Sequence, residues 1–174
     1  MQRLAERLVP LAFGLVVFLL VSSASTRADD AAGPIAVHYG VQIALADVAR
    51  YHCHDGSYPV IRCFDTPAER DADIATAAHS LDGPDTLTIV YYVTFFADAG
   101  YSGASFTASG SISDMRAIGW NDQISSFKSL NDGRPRWWRD INFAGTAWQW
   151  GTGAWISYVG SGANDQFSSV ANEP

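Results

Sequence analysis

A chain of 174 residues makes one domain, or one domain with an extension. Hydrophobic residues are 48% of it and charged residues 17%, so it can bury a core. Its net charge of −7 argues against nucleic acid and anionic lipid as partners and favours cations.

The first 28 residues do not belong to that core. Arg3 and Arg7 precede an apolar run from Leu8 to Val21, and small residues lead to Thr26-Arg27-Ala28. This is the pattern of a secretory signal peptide cleaved after Ala28, or else after Ala24. The alternative is a retained anchor, but the run is 14 residues and contains Pro10, whereas a spanning helix needs about 20. Cleavage removes Arg3, Arg7, Arg27 and Glu6 and moves the net charge to −9. The expected location is secreted, where calcium is abundant and thiols are oxidised.

Residues 29–86 read as an N-terminal extension of mixed α and β character. Asp29–Gly33 is small and polar, as a flexible mature terminus is. Ile35–Tyr51 is open between a pair of strands and a helix. Cys53 and Cys63 are the two cysteines, and export makes a disulfide the expected state. A zinc site from His52, Cys53, His54 and Cys63 is the alternative. On one extended segment His52 and His54 share a side only without Cys53, and no second cluster completes a structural site. "DTPAERDADIATAAHSLDG" predicts a helix over 67–80. Thr66 is the N-cap, Pro67 the first helical residue and Glu69 the partner in a capping box. Glu69, Asp71 and Asp73 face the positive end of the helix dipole. Gly83-Pro84 closes the segment.

From Leu87 the texture changes. "TLTIVYYVTFF" is β-branched and aromatic, and beyond it Gly, Ser and Asn interrupt the chain every several residues, as in short antiparallel strands. A repeat runs through this part. Phe96, Tyr101 and Gly103 recur as Trp138, Phe143 and Gly145, each shifted by 42 residues. About twenty residues after each set comes a polar phrase, "NDQISS" at 121–126 and "NDQFSS" at 164–169. A glycine behind an aromatic pair lets a hairpin fold over in a backbone conformation that a side chain would forbid.

On these residues, Leu87–Val170 resembles the βγ-crystallins in their microbial calcium-binding form. The resemblance implies a mainly β fold, a sandwich of two Greek keys over 87–174 with a small N-terminal α+β extension. It implies that the six-residue phrases bind calcium in two sites. The ligands it assigns are Asp122, the Gln123 carbonyl and Ser125 in one, and Asp165, the Gln166 carbonyl and Ser168 in the other. Carbonyls of Ala99 and Ile141 are borrowed from the folded hairpins of the opposite keys. A hard cation with six to eight oxygen ligands suits these groups. Ser126 and Ser169 are expected to hold the hairpins, Asn121 and Asn164 to shape the turns, and Ile124 and Phe167 to point into the core. The alternative is a pair of polar turns without metal.

"RPRWWR" at 134–139 interleaves arginine with Trp137 and Trp138, but Trp138 is the hairpin aromatic, and the stretch reads as structural, the linker between the keys. Trp148, Trp150 and Trp155 suit strands of a two-layer core. No nucleophile-base spacing is present, so the chain reads as a non-catalytic calcium-binding module with no nucleic-acid partner and, after cleavage, no membrane partner. A secreted inhibitor of extracellular proteases on the same fold is the alternative, with such a protease as partner. An exported enzyme using residues 35–86 has no residue support.

Overall fold

The computed structural model describes residues 33–79, 93–130 and 134–173. The leader read at 1–28, the stop at Gly83-Pro84 and the strand residues 87–92 lie outside them. In chain order the elements are β1 (Ile35–His38), β2 (Val41–Ile43), a 3-10 turn (Leu45–Arg50), β3 (His52–Ser57), β4 (Val60–Phe64) and α1 (Pro67–His79). There follow β5 (Val93–Asp98), β6 (Ser102–Ala108), a second 3-10 turn (Met115–Ile118), β7 (Ser126–Ser129), β8 (Arg134–Asp140), β9 (Ala144–Gln149), β10 (Trp155–Ile156) and β11 (Ser169–Glu173). No helix among them is long and apolar enough to cross a membrane.

One sheet has the order β10-β7-β5-β6-β3-β4-β1-β2 and the other β11-β8-β9. The first key is β5, β6, the segment at Ile112 and β7; the second is β8, β9, β10 and β11. In each, the first strand lies between the second and the fourth. The third crosses to the other sheet: Ile112 bridges Val170, and β10 pairs with β7. The inner faces are aromatic. Trp137 is fully buried, with ring centroids 5.7 Å from Phe95, 5.3 Å from Phe127 and 5.0 Å from Phe167. Ile124 and Phe167 are buried, as their place in the phrases predicts. "RPRWWR" is not a linker but the body of β8. The period of two sends Trp137 inward and Trp138 to the outer face, where Phe143 covers it at 5.2 Å.

The extension is built into the same sheet. β3 pairs in parallel with β6, His52 opposite Ser105 and Cys53 opposite Phe106. Ala36, Val48, Cys53 and Ile61 share one core with Phe95, Phe106 and Trp120. Strand pairing therefore crosses the boundary read at 86/87. The ambiguous Ile35–Tyr51 resolves into a hairpin followed by the first 3-10 turn. α1 starts where the capping box puts it: the Glu69 N–H donates to Thr66 Oγ1 (3.2 Å), and Glu69 Oε2 accepts from the Thr66 N–H (3.0 Å).

Cys53 and Cys63 face each other across β3 and β4 as a disulfide, which removes the zinc alternative. The bond spans 10 positions. Replacing both cysteines with serine is expected to cost about 2–3 kcal/mol by loop entropy. Urea unfolding of the double variant checks it, and an unchanged midpoint would refute it.

The two histidines of β3 meet α1 and β6 instead. His54 is buried; its Nδ1 accepts from the Gly56 N–H (3.2 Å), so its Nε2 carries the proton donated to Asp73 Oδ2 (2.9 Å). The ring is a neutral tautomer, and Arg62 balances Asp73 at 2.8 Å. His52 Nδ1 lies 2.8 Å from Ser105 Oγ, which also accepts from Arg70. Burial pushes both imidazoles below their ordinary range. The unfolded chain then takes up protons that the folded chain refuses as pH falls through about 6.5, so stability is lost on the acid side of neutrality. Urea midpoints between pH 7.5 and 5 should fall for the wild type and fall less for His54→Gln. Equal slopes in the two proteins would show that His54 does not contribute.

Candidate cation site

Each polar phrase is a turn with a left-handed residue at its second position, Asp122 at φ 55° and Asp165 at φ 54°. Aspartate tolerates this region better than most side chains. The preceding asparagine holds the carboxylate: Asn121 Nδ2 donates to Asp122 Oδ2, and Asn164 Nδ2 to Asp165 Oδ2, both at 2.6 Å. The last serine locks the hairpin of its own key. Ser126 Oγ donates to the Asp98 carbonyl (2.6 Å) and accepts from the Tyr101 N–H (3.1 Å). Ser169 Oγ does the same with Asp140 (2.7 Å) and Phe143 (3.1 Å).

The two phrases lie side by side. The Asp122 N–H donates to the Phe167 carbonyl (3.1 Å), and the Asp165 N–H to the Ile124 carbonyl (3.2 Å). This reciprocity gives a local twofold and sets the two phrases side by side. The three residues assigned to the second phrase, Asp165, Gln166 and Ser168, line one cleft of about 360 Å³, and Asp122 of the first phrase lines it too, joined by Arg139 and Asp140 of the second hairpin. Gln123 and Ser125 do not line it. Gln123 Nε2 donates to the Gly119 carbonyl (2.8 Å), and Ser125 is buried with its N–H on the Phe96 carbonyl (3.1 Å). Ala99 sits in the first hairpin, its carbonyl accepting from Ser102 Oγ (2.8 Å), and Ile141 follows Asp140 at the tip of the second.

Asp98 and Asp140 were not among the expected site residues. Both carboxylates fold over the hairpin glycines: a Cβ on Gly103 or Gly145 would clash with Asp98 Oδ2 or Asp140 Oδ2. With φ of 71° and 76°, these two positions admit only glycine without strain. The signal was in the repeat, since an aspartate stands two positions after the first aromatic in both copies.

The electrostatics are unbalanced. Partial burial in the cleft, and then the charge of Asp165, push the Asp122 carboxyl above its usual range against the opposing effect of Arg139 and Asn121. In each phrase one asparagine oxygen, Asn121 Oδ1 and Asn164 Oδ1, is buried without a hydrogen-bond partner. Among the described residues no three of His, Cys, Asp or Glu converge on one point. A cation here would draw on mixed oxygen donors, namely carboxylate, carbonyl and hydroxyl. The residues present fit a hard cation and offer nothing to a soft one.

Two keys thus exchange their third strands, fold their hairpins over glycine and lock them with the last serine of a repeated phrase. The fold is that of the βγ-crystallins. The chain is similar to solved βγ-crystallin structures over about half its length. A double mutant of a βγ-crystallin domain from Clostridium beijerinckii is 32% identical, covering 48% of this chain and 97% of that one, with a TM-score of 0.42. A βγ-crystallin from an archaeon is 27% identical, covering 48% and 99%, with a TM-score of 0.43. A double mutant of clostrillin in complex with nickel is 28% identical, covering 49% and 100%, with a TM-score of 0.43. No family model matches the chain, and no curated protein matches it. In βγ-crystallin terms, the strands and helix of residues 33–79 are an addition to the outer edge of the first key's sheet.

Proposed function

We propose that this chain is a secreted, non-catalytic βγ-crystallin module that binds two calcium ions and is stabilised by them. The observation that supports the reading is one open cleft lined by an aspartate from each phrase, Asp122 and Asp165, together with Gln166, Ser168 and a single arginine. Asp122, the Gln166 carbonyl and Ser168 would hold one ion. By the local twofold, Asp165, the Gln123 carbonyl and Ser125 would hold the other, with the hairpin carbonyls of Ala99 and Ile141 as further oxygens. Calcium supplies the charge that offsets carboxylate repulsion across the two keys. The leader pattern at 1–28 supports export, and the cross-strand disulfide suits an oxidising compartment.

Calorimetric titration of the exported protein tests the reading. Two sites are expected for calcium, and far less heat for magnesium, which demands smaller near-octahedral shells and retains its waters. No calcium heat at millimolar concentration would refute it.

A further inference from the structure

A second concavity has no part in the calcium reading. It lies where the extension meets the first key and has a volume of about 290 Å³. Asp55 and Tyr58 of the β3–β4 hairpin form one wall; Ile112, Ala117 and Ile118 of the first key form the other. The site exists only because β3 docks in register beside β6, which brings Asp55 next to Ser109.

Its chemistry is uneven. The walls are mostly apolar, and Tyr58 stands 64% exposed at the rim. Asp55 is only 9% exposed, and its Oδ1 accepts from the Ser109 N–H at 2.7 Å. No lysine, arginine or histidine among the described residues forms an ion pair with it. The neighbouring His54 is neutral, as its tautomer shows, and its proton goes to Asp73. The other acid of the lining, Asp114, is already matched by Arg116, with Nε to Oδ1 at 2.9 Å and Nη2 to Oδ2 at 2.8 Å. Asp55 is thus the carboxylate of this pocket without an ion-pair partner among the described residues, the neutral His54 being its nearest basic neighbour. Buried charges are ordinarily paired, because losing hydration costs several kcal/mol per ion. Burial holds the Asp55 carboxyl above its usual range, against the opposing hydrogen bonds from Ser109 and the electrostatic effect of His54.

We propose that this pocket binds an organic cation, an ammonium or guanidinium head on an apolar stem, with the head against the Asp55 carboxylate. The stem lies along Ile112 and Ile118, and Tyr58 covers it at the mouth, where an aromatic face also favours a cation. The negative net charge of −7 draws cations toward the mouth. Such a head group arrives either on a free amine or on the arginine or lysine side chain of a partner chain.

The test uses the full exported protein, in EDTA and again in calcium, so that failure here is separable from failure of the calcium reading. Agmatine, N-acetyl-arginine amide and the neutral control pentanol are titrated by calorimetry, with thermal melts alongside. Saturable binding of either cation, with no comparable binding of pentanol, is expected. Tighter binding of the amide points to a partner's side chain, and tighter binding of agmatine to a free amine; both support the site. Asp55→Asn keeps an oxygen for the Ser109 N–H and removes the charge. It should weaken cation binding at least roughly tenfold while melting no lower than the wild type without ligand. Ala117→Trp, which narrows the pocket and leaves Asp55 in place, should also weaken binding and serves if Asp55→Asn does not fold. The proposal is overturned if neither cation binds at millimolar concentration, if pentanol binds as well, or if Asp55→Asn and Ala117→Trp bind like the wild type.

Discussion

Calcium at 10 mM should raise the melting temperature of the protein by roughly 10 °C for each occupied site. Extracellular calcium modules bind at on the order of 10⁻⁴–10⁻³ M. At one hundred times the dissociation constant, a ligand that binds only the folded state adds about 2.7 kcal/mol. A domain of this size shifts by about 3–5 °C per kcal/mol. Asp122→Asn separates binding from folding. In the absence of calcium it should melt no lower than the wild type, because it removes a carboxylate crowded by Asp165. In calcium it should lose the response of its site. Ser168→Ala takes away a hydroxyl in the same cleft and should weaken that site as well, while Ser169→Ala, which unlocks the Asp140–Phe143 hairpin, should lower the melting temperature even without calcium. A calcium shift in Asp122→Asn equal to that of the wild type would remove this residue from the site. No shift in the wild type would leave both phrases as turns.

Trp137→Ala should cost about 3–5 kcal/mol, the range for deleting a buried aromatic side chain and leaving a cavity. Against a total of about 5–15 kcal/mol for a folded domain, that approaches unfolding. The reason is position. Trp137 comes from β8 in the second key's sheet and meets Phe95 and Phe127 of the first key's sheet as well as Phe167. Trp137→Phe should cost much less than the alanine change, because the Trp137 Nε1 is buried without a hydrogen-bond partner and phenylalanine removes that donor. Urea unfolding by tryptophan fluorescence and circular dichroism measures both. A loss below about 1 kcal/mol for the alanine variant would mean that the cavity collapses at little cost.

The sequence by itself determined the features built from neighbours in the chain. The hairpin with its aromatic pair and glycine, the closing serine and the left-handed aspartate are each complete within a few residues, so their 42-residue recurrence was readable as two keys. The capping box at Thr66 and Glu69 was readable for the same reason. Tertiary structure decided what depends on a distant partner. "HCHDGSYPVIRC" is too polar to announce strands. β3 and β4 are strands because β6 pairs with β3 across some fifty residues and α1 packs over His54. Trp148 and Trp150 share a face by the period of two and pack on the core. The turn through Gly151–Gly153 then resets the alternation, so Trp155 is 61% exposed, against the expectation from composition, and covers Lys128 at 4.8 Å instead. Asp122 lines one cleft with Asp165, Gln166 and Ser168 because reciprocal backbone bonds set the two phrases side by side. Local rules say what a turn can hold; only the meeting of two turns says which side chains line one cleft.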